Sequence, residues 1–163
     1  MYSKMLVTLD RSKASETVLK HIERAAGPET QITLLTVTEV PPSLGLSGPA
    51  LLRRRQVSAV DEEARYLEKT AKPLRERGLH VETQVALGDC KGPWVRSSPA
   101  ANSGRDSAAE QILKAARERG ADVIVMATHG HGALAKTVFG SVTERVMRAG
   151  VCPVLLIRPD KLN

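Results

Sequence analysis

Aromatic residues are almost missing from this chain. Tyr2, Tyr66, Trp94 and Phe139 are the full set in 163 residues. Proteins that grip single-stranded nucleic acid stack bases on aromatic rings. The excess of Lys and Arg, 24 against 18 Asp and Glu, therefore does not read as a nucleic-acid surface. Cysteine is scarce too. Cys90 and Cys152 lie far apart with no CxxC pair, which argues against a disulfide scaffold or a zinc ribbon. Long apolar runs are also lacking. The run that opens the chain, in MYSKMLVTLD, breaks at Asp10, too early for a signal peptide and far too short for a bilayer. The expectation is a soluble, cytoplasmic protein with no membrane partner. Residues 1–163 are expected to form one domain, which at this size buries roughly 70% of its unfolded surface.

The net charge of +6 favours anionic partners. Its densest run, Arg53-Arg54-Arg55, heads a long amphipathic segment. It reads as a solvated helix end, with an anionic contact as the other reading.

Strand-like and helix-like patterns alternate. KMLVTLD (4–10) is a short branched-apolar run, and Ser15, Val18, Leu19, Ile22 and Ala26 mark one helical face after it. Ser12 suits the N-cap, and Gly27-Pro28 suits the stop. QITLLTVTEV (31–40) predicts the second strand and PPSLGLSGPA (41–50) a loop. A helix is expected over about 51–77, disturbed at Pro73 and ended by Gly78. HVETQVALG (80–88) alternates like a strand. Helices are expected over 107–120 and 141–150, each with a capping-box spacing, Ser107 with Glu110 and Ser141 with Glu144. DVIVMA (122–127) and PVLLIRP (153–159) predict the last two strands. This order implies an α/β protein with a parallel sheet covered on both faces. Ligands of such sheets bind beyond the strand carboxyl ends. Asp10 and Thr128 fall on that rim.

The loop between the fourth strand and the last helix, THGHGALAKTVFGS, holds three glycines, two histidines and one lysine. It is not a Walker loop, because Ala135 stands before Lys136-Thr137 where GxxxxGK[ST] needs glycine. GHGALA (130–135) fits GxGxx[GA], but the strand and acidic residue of a dinucleotide site do not follow it. His129 and His131 are too few ligands for zinc. A glycine loop that enters a helix N-terminus can instead present backbone N–H groups to phosphate. Gly130 and Gly140-Ser141 are the candidates. Turn formation at Gly130 and N-capping at Ser141 are the plainer alternatives.

Gly130, nine residues, then Gly140-Ser141-Val142, set among KMLVTLDRS, ITLLTV, ARERGADVIVMATHG and GSVTERVMRAGVCPVLLI, resembles the universal stress protein family over nearly the whole chain. The resemblance implies a Rossmann-like (HUP-type) open sheet of five parallel strands in the order 3-2-1-4-5. It also implies an adenine nucleotide site. Asp10 matches the residue on the ribose or adenine side, Thr8 and Val37 match residues at adenine, and Met126 lines the same pocket. Ala127, Gly130, Gly140, Ser141 and Val142 match the ribose and phosphate contacts. The implied ligand is ATP, with Mg²⁺ bridging its phosphates and keeping most of its waters. A homodimer through the last strand, 153–159, is implied as well.

The chain departs from the family pattern twice. The motif G-x2-G-x9-G-[ST] has Ala127 at its first glycine. Were φ positive there, alanine would cost about 1 kcal/mol. GDCKGPWVRSSPAANSGRDS (88–107) is an insert, expected to be a flexible loop, with a lid or docking loop anchored by Trp94 as the alternative. The expected function is a nucleotide-dependent stress-response regulator with at most slow ATP hydrolysis, since no general base or arginine finger is evident. The competing readings are a nucleotide-independent dimeric interaction module of the same fold and, after it, a nucleotide hydrolase or transferase.

Overall fold

The computed structural model describes residues 2–39, 49–88, 103–128 and 139–158. Five parallel strands form one sheet: β1 (Lys4–Thr8), β2 (Gln31–Glu39), β3 (His80–Gly88), β4 (Val123–Ala127) and β5 (Val154–Ile157). Their order is β3-β2-β1-β4-β5, as expected. The helices are α1 (Lys13–Glu16), α2 (Val18–Ala25), α3 (Pro49–Glu76), α4 (Ser103–Arg119) and α5 (Ser141–Ala149).

The strand period of two sorts the core into two faces. Met5 and Val7 of the first strand, with Leu9 just past its end, pack with Ile32 and Leu34 against Val18, Ile22, Leu67, Ala71 and Leu74. Leu6 packs on the other face with Leu35, Ile124 and Met126 against Ala109, Ile112, Ala116 and Val146. So α2 and α3 cover one face, and α4 and α5 the other. Asp122 secures the amino end of β1. Its carboxylate accepts from Ser3 N at 2.7 Å and Lys4 N at 3.1 Å.

Several boundaries differ from the sequence expectation for local reasons. The first helix is split at Thr17, whose hydroxyl donates to Ala14 O at 2.6 Å. Ser12 is the N-cap, accepting from Ser15 N. The fourth helix begins at Ser103, so residues 103–107 belong to it and not to the insert loop, and Ser107 is no cap. At α5 the N-cap is Gly140, and Ser141 is the first helical residue. The Ser141–Glu144 capping box does not form. Glu144 pairs with Arg148 one turn on, at 2.7 Å. The last strand is shorter than 153–159 and ends at Ile157. Pro73 lies inside α3 without ending it. Gly78 and Gly150 follow α3 and α5 at φ +85° and +60°, a left-handed exit that glycine takes without a Cβ clash.

A fork ties α3 to the edge strand β3. Arg75 donates from Nη1 and Nη2 to Glu68 at 2.6 and 3.3 Å, and from Nε to Val81 O at 2.8 Å. Thr83 Oγ1 donates to the same carboxylate at 2.6 Å. These donors, Arg75 first, lower the Glu68 carboxyl from its ordinary 4.5 to about 2. A carboxyl with a depressed folded-state pKa adds stability above its unfolded value, and that contribution fades as pH falls toward the folded value. Stability is therefore expected to drop between about pH 4.5 and 2 in the wild type, and less in Glu68→Gln. The Glu68 side chain is 52% exposed, so the difference in acid melts should shrink at high salt.

Candidate functional site

The central strands β1 and β4 are neighbours, paired Met5↔Val123 to Val7↔Val125. The chain leaves them toward opposite faces of the sheet, α1 and α2 after the first, α5 after the fourth. That reversal opens a crevice at the carboxyl ends. Here it is a cavity of about 440 Å³, within the usual range for a small-molecule site. Leu35, Val37, Ile112, Met126, Ala127 and Val142 supply most of its apolar wall. Thr8, Asp10, Ser12, Ser15, Thr128 and Thr143 supply the polar groups.

Asp10 stands just past the end of β1 and is held by a closed ring of bonds. Ser12 donates to Asp10 Oδ1 from N at 3.0 Å and from Oγ at 2.5 Å. Ser12 Oγ accepts from Ser15 N at 3.0 Å. Ser15 Oγ donates to Ser12 O at 2.9 Å and accepts from Asp10 N at 3.3 Å. The ring sets the direction of the carboxylate before any ligand arrives. Below it, Leu9 N donates to Leu35 O at 2.9 Å, and Thr36 Oγ1 donates to Leu9 O at 3.1 Å. On the other side, Thr128 N donates to Ile157 O at 2.9 Å and extends the sheet ladder to the rim.

The amino end of α5 faces this region through Val142 and Thr143. Gly140 is extended, φ −68° and ψ 155°, and makes no side-chain cap bond. First-turn amides of a helix lack intrahelical partners, so an anion can serve there. Asp10 is the only ionisable side chain among the described residues of the lining.

Of the residues singled out in the sequence, Thr8, Asp10, Val37, Met126, Ala127 and Val142 come together around the cavity. Gly140 and Ser141 lie two residues and one residue before Val142, outside the lining itself. Gly130, with His129, His131 and Lys136, lies outside the described residues, as do Cys90 and Trp94. Ala127 sits in β4, paired with Ile157, and among described non-glycine residues only Arg11 has a positive φ. The alanine therefore carries no backbone penalty. Sequence reading missed the wall contributed by α4, Ala108 and Ile112. Their spacing of four places both on one helical face, and that spacing was the available signal.

A 3-2-1-4-5 parallel sheet with its crevice at the switch point defines a Rossmann-like α/β protein with a cavity at the strand ends. The family model described as the Universal stress protein family matches residues 1–92 and 101–158, and the chain belongs to that family. The unmatched interval falls within the 88–107 stretch. The chain is similar to universal stress protein MJ0531 of Methanocaldococcus jannaschii, 27% identical over 162 residues, covering 99% of this chain and 85% of the relative. It is similar to the solved structure of hypothetical protein MJ0577 from the same organism, 25% identical, TM-score 0.72, covering 99% of both chains. It also shares its fold with a universal stress protein solved in complex with cAMP, 16% identical, TM-score 0.63, covering 96% of this chain and 97% of that one.

Proposed function

We propose that this chain binds ATP in the crevice between β1 and β4, and acts as a nucleotide-dependent regulator in the stress response. The observation that carries the reading is the cavity itself. It joins apolar walls suited to a base, a pre-oriented carboxylate suited to ribose hydroxyls, and a helix amino end suited to phosphate. Thr8, Val37 and Met126 would flank the adenine and Asp10 the ribose. Ala127, Val142 and the Gly140-Ser141 amides would flank the ribose and phosphates, with Gly130 completing the phosphate side. A relative of the same fold is known in complex with cAMP, an adenine nucleotide.

Among the described residues no cluster of three His, Cys, Asp or Glu gathers for a metal. A Mg²⁺ ion would ride on the phosphates, which suits its preference for few protein ligands. With Asp10 as the single ionisable group of the described lining, the proposal is retention of ATP with at most slow hydrolysis. The protein would work in the cytoplasm; among the described residues no helix is long and apolar enough to cross a membrane. It would pair with a second copy along β5, an edge strand with Leu155 exposed.

Calorimetric titration of the whole chain with ATP and Mg²⁺ tests the reading. Saturable one-site heat, with ATP recovered intact afterwards, is expected. No binding at millimolar ATP would overturn it.

A further inference from the structure

Arg11 is strained and yet doubly held. Its φ is +62°, a region that side chains with a Cβ avoid. Its neighbours Asp10 and Ser12 line the cavity, and Arg11 does not. It reaches instead to α3, on the opposite face of the sheet from α4 and α5. There Nη1 donates to Glu63 Oε1 at 3.1 Å, and the guanidinium carbon lies 5.6 Å from the centre of the Tyr66 ring.

The position of Glu63 gives this contact its weight. Glu63 stands one turn before Leu67 on the stripe that carries Leu67, Ala71 and Leu74 into the core. Helical register therefore buries it. It is 9% exposed, and its Oε2 has no hydrogen-bond partner among the described residues. A buried carboxylate with one oxygen unsatisfied depends heavily on its remaining cation. Tyr66 is itself fixed, donating from its hydroxyl to Glu16 Oε1 at 3.1 Å. Burial, then the charge of Glu16, raises the Tyr66 hydroxyl above its ordinary range, so it remains a donor. The turn between β1 and α1 is thus pinned from behind by two residues some fifty positions away.

We propose that Arg11 is a positioning residue for the nucleotide: its clamp on Glu63 and Tyr66 holds the Asp10–Ser12 turn so that the Asp10 carboxylate meets the ribose. This rests on the ATP reading and adds α3 to the determinants of affinity. The strained backbone is the means. At φ +62° the chain turns Arg11 onto the α3 face while both neighbours stay on the cavity rim.

The test compares ATP with 2′,3′-dideoxyATP by calorimetry on the full chain, in wild type, Arg11→Gly and Glu63→Gln. Glycine relieves the strain while removing the clamp, and glutamine keeps the shape while removing the charge. The wild type is expected to prefer ATP by about tenfold or more, the worth of a hydrogen bond to a charged group. In both variants the preference should fall to about twofold, with dideoxyATP affinity held. An unchanged ratio, or equal weakening toward both nucleotides, would overturn the proposal, since a purely structural role lowers both together. Hydrogen exchange of the Ser12 and Ser15 amides in the ligand-free protein gives a readout that does not need ATP. Faster exchange in Arg11→Gly by about tenfold supports the clamp, and unchanged exchange overturns it. A wild type that binds neither nucleotide removes the ATP reading and leaves the clamp to be decided by exchange.

Discussion

Replacing Asp10 by alanine is expected to weaken ATP binding by about tenfold to a hundredfold. A hydrogen bond to a charged group is worth roughly 1.5–3 kcal/mol, and every 1.4 kcal/mol is a factor of about ten. The carboxylate is oriented in advance by Ser12, from N at 3.0 Å and from Oγ at 2.5 Å, so little ordering cost offsets the ligand contact. Alanine also deletes the acceptor on which the Ser12 turn closes. Thermal melts of Asp10→Ala should show a loss of about 1 kcal/mol from those bonds. Asp10→Asn separates the two effects. It keeps an oxygen for Ser12 and removes the charge, so the melt should return toward wild type while affinity stays reduced. The electrostatic sign makes the experiment decisive. A carboxylate against the triphosphate would repel it, and asparagine would then bind ATP more tightly. Tighter binding by Asp10→Asn would remove Asp10 from the ribose.

The fold was legible in the sequence because each strand is a short branched-apolar run and each helix repeats its apolar residues at helical spacing. Both patterns are local. The strand order is not local, and it came from the resemblance to the family. Helix starts were the weakest part, for a physical reason. Capping-box spacing occurs at Ser107–Glu110 and at Ser141–Glu144, yet α4 begins a turn earlier and Gly140 caps α5. A spacing shows that a cap could form there, while the incoming backbone decides whether it does. The same holds for Ala127. The motif suggested a glycine-only conformation, and the ladder with Ile157 makes it ordinary strand. Asp10 and Thr128 were readable on the cavity rim because strand ends follow from strand assignment, while Thr8, Val37 and Met126 came from the resemblance to the family. The wall from Ala108 and Ile112 was not, since it depends on how α4 lies across the sheet. Arg11 was hidden for the opposite reason. Nothing in LDRS marks a left-handed residue, and its partners are Glu63 and Tyr66, far along the chain.

The phosphate end of the site gives the second large effect. Gly140→Asp is expected to leave the fold as stable as wild type or slightly more so, and to weaken ATP binding about tenfold to a hundredfold. Gly140 already has the extended conformation of an N-cap, φ −68° and ψ 155°, and offers no side-chain bond. Aspartate can adopt that conformation and accept from the first-turn amides, a gain of a few tenths of a kcal/mol over glycine. Its charge also favours the positive end of the helix dipole, by roughly 0.3–1 kcal/mol. The same two properties oppose a phosphate. The side chain occupies the N–H groups, and two negative charges about 5 Å apart repel by roughly 3 kcal/mol at an effective dielectric of 20. Stability and affinity thus move in opposite directions, which a general loss of structure cannot imitate. Adenosine supplies the internal control, because it has no phosphate to repel and should bind the variant as it binds wild type. Gly140→Asn, a cap without charge, should lose only the part due to competition for the amides. ATP binding to Gly140→Asp at wild-type strength would move the phosphates away from α5, leaving the crevice to a nucleoside held at β1 and β4.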